Sequence, residues 1–256
     1  MPQRECMSPE KERQPAIRFE HISLSYGETM VLNDFCLTIP EGEFLTVIGS
    51  SGGGKTTMLK LVNGLLKADC GEVWVDGEAV STCDQIALRR RIGYVIQEVG
   101  LFPHLNVEQN ITFVPTLKGR QDKKALHARA VELCRTVGLP DTFLKRYPNE
   151  LSGGQRQRVG IARALMASPN MILMDEPFGA VDEITRRALQ DEIIRIHREL
   201  GGTILFITHD IKEALKLGDR VLVMDQGEIV QCAPPDEIRQ HPASPFVAKL
   251  LEGCFC

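Results

Sequence analysis

From Ile17 to Ser25 apolar and polar residues alternate, and they do so again from Val31 to Ile39 before the turn Pro40-Glu41-Gly42-Glu43. A period of two sends successive side chains to opposite faces, so both segments are expected as half-buried strands of an antiparallel entry sheet. The pattern then changes. Phe44 to Ile48 is a compact apolar run that ends in a Gly-rich loop, and beyond it Met58, Val62, Leu65 and Leu66 recur at helical spacing. Strand, loop and helix follow one another there. Gly71 to Val80 reads as a short hairpin and Ile92 to Ile96 as a further strand, ahead of a loop containing Gly100 and Pro103.

Leu126, Ala130, Leu133, Cys134 and Val137 mark an amphipathic helix, and Ser152 stands where an N-cap should precede a helix through Val159, Ala162 and Leu165. A mainly helical insertion is therefore expected over about 98–155. Buried-strand runs return at Met171 to Met174, Thr203 to Ile207 and Arg220 to Met224, separated by helical stretches at 184–200 and 210–217. Strands alternating with helices imply an α/β fold with a parallel, doubly wound sheet, whose ligands bind at the carboxyl ends of its strands. The expected organisation is a disordered lead-in over 1–15, one domain over 16–250 and a tail over 251–256. No internal repeat or low-complexity segment interrupts it.

Composition narrows the function. The 256 residues are 43% hydrophobic and 25% charged, the balance of an ordinary soluble globular chain, and the net charge of −4 offers no basic surface for nucleic acid. No run approaches eighteen apolar residues, and the polar start MPQRECMSPEKERQP carries no apolar signal core, which places the chain in the cytoplasm as an expectation. Eight cysteines lie scattered without paired spacing, against a disulfide framework or a four-ligand zinc site. Most are expected to be reduced packing residues, with Cys254 and Cys256 in a frayed end.

Gly49-Ser50-Ser51-Gly52-Gly53-Gly54-Lys55-Thr56 fits G-x-x-x-x-G-K-[ST], in the required context of a preceding strand and a following helix. Such a loop wraps its N–H groups around phosphate oxygens while the helix start adds partial positive charge. Lys55 would meet the β- and γ-phosphates of ATP, Thr56 would give its hydroxyl to Mg2+, and Thr57 completes the expected nucleotide contacts. The fold class sharpens to a P-loop NTPase core with a parallel sheet, an antiparallel β subdomain and a helical insertion. The run Met171 to Met174 ends in Asp175-Glu176, so two carboxylates emerge at the ligand edge. Asp175 would hold Mg2+ through water, and Glu176 would serve as general base toward the attacking water.

About twenty residues before that strand stands Leu151-Ser152-Gly153-Gly154-Gln155. With it the sequence resembles the ABC ATPase family, whose signature is LSGGQ, over essentially residues 16–250. Ser152 and the N–H groups of Gly153 and Gly154 would form a second anion cradle, and two cradles suggest two chains. The resemblance implies a head-to-tail homodimer in which Ser152, Gly153, Gly154 and Gln155 of one subunit close over the γ-phosphate held by the other. It further implies that Tyr26 stacks on adenine, that Gln97 senses Mg2+, the attacking water and the membrane partner, that Asp182 of Gly179-Ala180-Val181-Asp182 acts across the dimer, and that His209 contacts the γ-phosphate. Val181 stands where that family usually has leucine.

Arg89-Arg90-Arg91-Ile92-Gly93-Tyr94-Val95-Ile96-Gln97, Gly100-Leu101-Phe102-Pro103-His104, Asn110-Ile111, Val114-Pro115, Asp175-Glu176-Pro177-Phe178-Gly179 and Ile184-Thr185-Arg186-Arg187 look like importers of quaternary amine osmoprotectants such as glycine betaine, carnitine and choline. That likeness implies an ATP-hydrolysing subunit at the cytoplasmic face of the cell membrane. Its partners would be permease subunits and, indirectly, a solute-binding protein, with no nucleic acid. Many such importers carry CBS domains after the cassette. Two other readings stand beside it: an ABC motor for another substrate class, and a non-transport ABC ATPase.

Overall fold

The computed structural model describes residues 14–97, 100–117, 119 and 122–252. In chain order the strands and α-helices are β1 (Pro15–Tyr26), β2 (Thr29–Pro40), β3 (Phe44–Gly49), α1 (Lys55–Val62), β4 (Cys70–Val75), β5 (Glu78–Ala79), α2 (Gln85–Arg91), β6 (Ile92–Val95), α3 (Val107–Thr116), α4 (Lys123–Thr136), α5 (Gly153–Leu165), β7 (Met171–Asp175), α6 (Glu183–Leu200), β8 (Thr203–Ile207), α7 (Ile211–Leu217), β9 (Arg220–Asp225), β10 (Glu228–Ala233), α8 (Pro235–Gln240) and α9 (Pro245–Glu252). Two 3-10 turns, Asp141–Lys145 and Pro148–Glu150, lead into α5.

The strands form two sheets. One has four strands in the order β2-β1-β4-β5, all antiparallel, and the other six in the order β10-β9-β3-β8-β7-β6. Within the second, β6, β7, β8, β3 and β9 are parallel and β10 joins the edge antiparallel. Every residue of β7 and β8 is buried, because helices and the other sheet cover both faces. The pleat divides these side chains between cores. Ile172, Met174, Ile204 and Phe206 face the core shared with α3–α6, whereas Leu173, Leu205, Ile207 and Leu222 face the core under the antiparallel sheet and α1. A third core joins Val221 and Val223 to α7, α8 and α9 through Leu215, Ile238, Val247 and Leu251.

The expected fold class is found, and the differences have local causes. The helix after the Gly-rich loop stops at Val62, one turn before Leu65 and Leu66, because Asn63 caps it and Gly64 takes the left-handed conformation at φ +64°. Helix α2 was not expected: with Leu88 its one buried residue it shows no apolar period, and the Asp84 cap starts it by accepting from the N–H groups of Ile86 and Ala87. Strand β10 and helices α8 and α9 were not expected either. Secondary structure extends past 16–250 by Pro15 in β1 and by Leu251 and Glu252 in α9, with Leu251 buried; residues 1–13 of the expected lead-in and 253–256 of the expected tail, with Cys254 and Cys256, lie outside the described residues. Among the described cysteines Cys134 is buried, but Cys36 and Cys70 are exposed, so these two are not packing residues. Among the described residues no helix is long and apolar enough to cross a membrane.

Candidate functional site

Register builds the site. Val47 of β3 lies level with Ile207 of β8, which lies level with Asp175 of β7. Three adjacent strands therefore end in step, and the residues that follow, Gly49 to Thr56, Glu176 and His209, emerge along one edge of the sheet. Glycine is required where the loop leaves β3: a Cβ on Gly49 would lie 1.8 Å from the Met224 carbonyl oxygen, and one on Gly54, at φ +88°, would lie 2.8 Å from Leu32 and 3.0 Å from the Val31 carbonyl.

Gly54 is also the N-cap of α1, and it supplies no side-chain acceptor. By contrast, α2, α3, α4, α5, α6 and α7 are capped by the side chains of Asp84, Asn106, Asp122, Ser152, Asp182 and Asp210. The first-turn N–H groups of α1 are thus left for an anion. Gly53 and Gly54 are buried and Ser51 and Gly52 exposed, with Thr57 buried in that first turn. Lys55 turns its Nζ back onto the loop, donating to the carbonyls of Gly49 (2.9 Å) and Ser50 (2.7 Å). Burial lowers the Lys55 pKa, against the opposing pull of Glu176 and Asp175. A half-desolvated ammonium held by neutral carbonyls is a receptor for phosphate charge.

Opposite it, the Thr56 hydroxyl donates to Asp175 Oδ1 at 3.2 Å, tying the loop to the end of β7. Asp175 is 4% exposed, and that burial raises its pKa although the Thr56 hydrogen bond works the other way. A carboxylate and a hydroxyl side by side form an oxygen donor set suited to a hard divalent cation. Glu176 comes next in the chain with φ +45°, a left-handed conformation rare outside glycine and costly by about 1–3 kcal/mol. Its N–H donates to Ile207 O at 3.0 Å, which holds the turn against β8. The turn presents Glu176 Oε2 to two partners at once: Gln97 Nε2 donates to it at 3.3 Å, and His209 Nδ1 lies 3.2 Å away. Residues 79 and 33 positions from Glu176 in sequence meet on one oxygen.

Ser152 caps α5 as expected, accepting from Gln155 N (3.2 Å) while Gln155 Oε1 accepts from Ser152 N (2.9 Å). The cap packs on residues 180–181: a Cβ on Gly154 would lie 2.9 Å from the Ala180 carbonyl oxygen. Asp182 caps α6 by accepting from Thr185 N at 3.0 Å, and that hydrogen bond lowers its pKa. Tyr26 closes β1 with half its surface exposed. Two supporting groups escaped the sequence. The buried Glu213 carboxylate accepts from Thr208 Oγ1 and Gln190 Nε2, which fixes the residue before His209, and Asp225 accepts from Ser50 Oγ at 2.7 Å. Only the positions of Glu213, two residues into a helix, and Asp225, at a strand end, hinted at either.

A family profile described as "ABC transporter" matches residues 32–179. The chain is 50% identical over 237 residues to a carnitine transport ATP-binding protein of Listeria monocytogenes, covering 92% of this chain and 59% of that one. It is 48% identical to a glycine betaine/carnitine/choline transport ATP-binding protein of Bacillus subtilis, covering 92% and 62%. It is also 48% identical to a glycine betaine uptake system ATP-binding protein of Escherichia coli, covering 92% and 76%. The chain therefore spans about 60% of the length of the first two relatives. A dimeric ATP-binding cassette in a post-hydrolysis state, bound to ADP and Pi, superposes with a TM-score of 0.81 at 34% identity over 86% of this chain and 98% of its own.

Proposed function

The chain belongs to the ABC transporter family of ATP-binding proteins, and we propose that it binds and hydrolyses ATP to energise an importer of quaternary amine osmoprotectants. The observation that carries the reading is the meeting of Gln97, Glu176 and His209 beside the Lys55–Thr56–Asp175 group. Gly49 to Thr57 would wrap the phosphates, with Lys55 moving from its carbonyl partners to the β- and γ-phosphates, and Tyr26 would stack on the adenine. Thr56, Asp175 and Gln97 would hold Mg2+, which when bound neutralises charge on the phosphate oxygens.

Glu176 takes a proton from water as that water attacks the γ-phosphorus and ADP leaves. His209, within hydrogen-bond reach of the same carboxylate, orients Glu176 and bonds the γ-phosphate. Ser152 to Gln155 complete the site of a second copy, because in one chain Gly153 and Gly154 pack on residues 180–181 while Ser152 and Gly153 stay exposed. Asp182 follows directly on residues 180–181. Permease subunits at the cytoplasmic side of the cell membrane, served by a solute-binding protein, would be the partners. The names of the relatives from L. monocytogenes, B. subtilis and E. coli support the cargo class.

Replacing Glu176 by Gln keeps shape and removes the base. Steady-state ATP hydrolysis should fall about 10²- to 10⁴-fold while ATP binding and ATP-dependent dimerisation persist. Hydrolysis near that of the parent chain would sink the assignment. Glycine betaine uptake in cells that carry the cognate permease should stop with the same variant, and continued uptake would break the link to transport.

A further inference from the structure

The ribbon of β1 and β2 shifts register four times, and two of these irregularities, one on each strand, lie side by side in its middle. Between the pairs Phe19↔Leu37 and Ile22↔Phe35 there is one extra residue on β1, and between Ile22↔Phe35 and Leu24↔Leu32 one extra on β2. Each bulge contains a residue other than glycine in the left-handed region, His21 at φ +50° and Asp34 at φ +48°. Bulges re-aim side chains, and these two aim theirs at each other. His21 Nδ1 lies 2.7 Å from Asp34 Oδ1 and 3.7 Å from Cys36 Sγ, and the three atoms fall within 4.8 Å of one another. The backbone joins in: His21 N–H donates to Cys36 Sγ at 3.2 Å, and Asp34 N–H donates to Ser23 Oγ at 3.1 Å.

As an ion pair alone this arrangement would do little, since the His21 and Asp34 side chains are 77% and 72% exposed. As a donor set it is complete but for one position. Ligand bonds of about 2.0–2.3 Å around a tetrahedral Zn2+ place the ligand atoms roughly 3.3–3.7 Å apart. The Nδ1–Sγ separation already matches, and the Nδ1–Oδ1 separation needs to open by about half an ångström, which exposed side chains allow.

We propose that His21, Asp34 and Cys36 form a surface site for a thiophilic divalent cation of the Zn2+ class, with the fourth position open to water. Imidazole and thiolate favour such a cation over Mg2+, so the site does not compete for the ion expected at Thr56 and Asp175. On binding, the Cys36 thiol gives its proton to water and its sulfur bonds the metal.

The experiment is a titration of the metal-free full chain, kept reduced, with Co2+ as the optical probe and Zn2+ as competitor. A single thiolate-to-cobalt absorption band is expected, displaced by Zn2+. His21→Ala and Cys36→Ser should each weaken Co2+ binding about tenfold or more with ATP binding intact as the check on folding, and Asp34→Asn should weaken it less. Replacing Cys254 and Cys256 together by Ser should leave the band in place. The proposal is overturned if no band forms, if the band survives His21→Ala or Cys36→Ser, or if it vanishes with the two terminal cysteines.

Discussion

In the six-stranded sheet, β7 and β8 are buried at every position, whereas along β1 and β2 buried and exposed positions alternate. Only the ends of the buried strands are open to solvent, so the parallel sheet gathers its chemistry at one edge, in residues set level by the register of Val47, Ile207 and Asp175. The antiparallel ribbon has a wet face along its length, and there chemistry needs a different device: paired bulges that turn His21 and Asp34 together. The first arrangement places a strained residue, Glu176, where packing from β8 holds it. The second places strained residues on an exposed face, held by hydrogen bonds among themselves and to Ser23 and Cys36, so the loss of one side chain should cost the fold little.

The comparison is tested most strongly at the edge. His209→Ala should lower ATP hydrolysis about 10²-fold or more, with ATP binding within a few-fold of the parent, measured by steady-state turnover and nucleotide titration; full activity would remove His209 from the site. Next in size, Leu173→Ala in the doubly covered strand should destabilise the chain by about 2–5 kcal/mol in denaturant unfolding. A loss below about 1 kcal/mol would mean that burial on both faces is not what holds the edge in place. Ser152→Ala removes the α5 cap and should cost about 0.5–2 kcal/mol, while also weakening ATP-dependent dimerisation if that cap completes a second site.

Asp175 gives a prediction of sign. Because burial raises its folded pKa, Asp175 favours the fold fully below the ordinary carboxylate range and that contribution is lost as pH rises through the raised value. Asp175→Asn should therefore raise the melting temperature of the nucleotide-free chain at neutral pH and abolish its stabilisation by Mg2+ with ATP; a lower melting temperature would contradict it. The smallest effect belongs to the ribbon. His21→Ala in metal-free protein should change stability by less than about 0.5 kcal/mol in the same unfolding assay.

Much of this was legible because the edge is written in consecutive residues. Gly49 to Thr56 and Asp175-Glu176 are local phrases at the ends of apolar runs, and Ser152 announces its helix by a capping box that spans three residues. Where local signal is weak the reading failed. Helix α2 buries one residue, the helix after the Gly-rich loop ends at Asn63 rather than where its apolar spacing ends, and α8 and α9 are short pieces held by packing on β9. Glu213 and Asp225 carry no local signal, because their partners Thr208, Gln190 and Ser50 reach them only through the fold or a turn.

By itself the sequence determined the fold class, the family and the identity of the groups along the sheet edge, because periodicity, glycine and short motifs act over a few residues. The tertiary structure alone decided that Gln97 and His209 share one oxygen of Glu176, that Gly154 packs on Ala180, and that His21, Asp34 and Cys36 meet across two strands. Each of these depends on strand register and bulges, which are set by the burial of the whole sheet and cannot be read from any one segment.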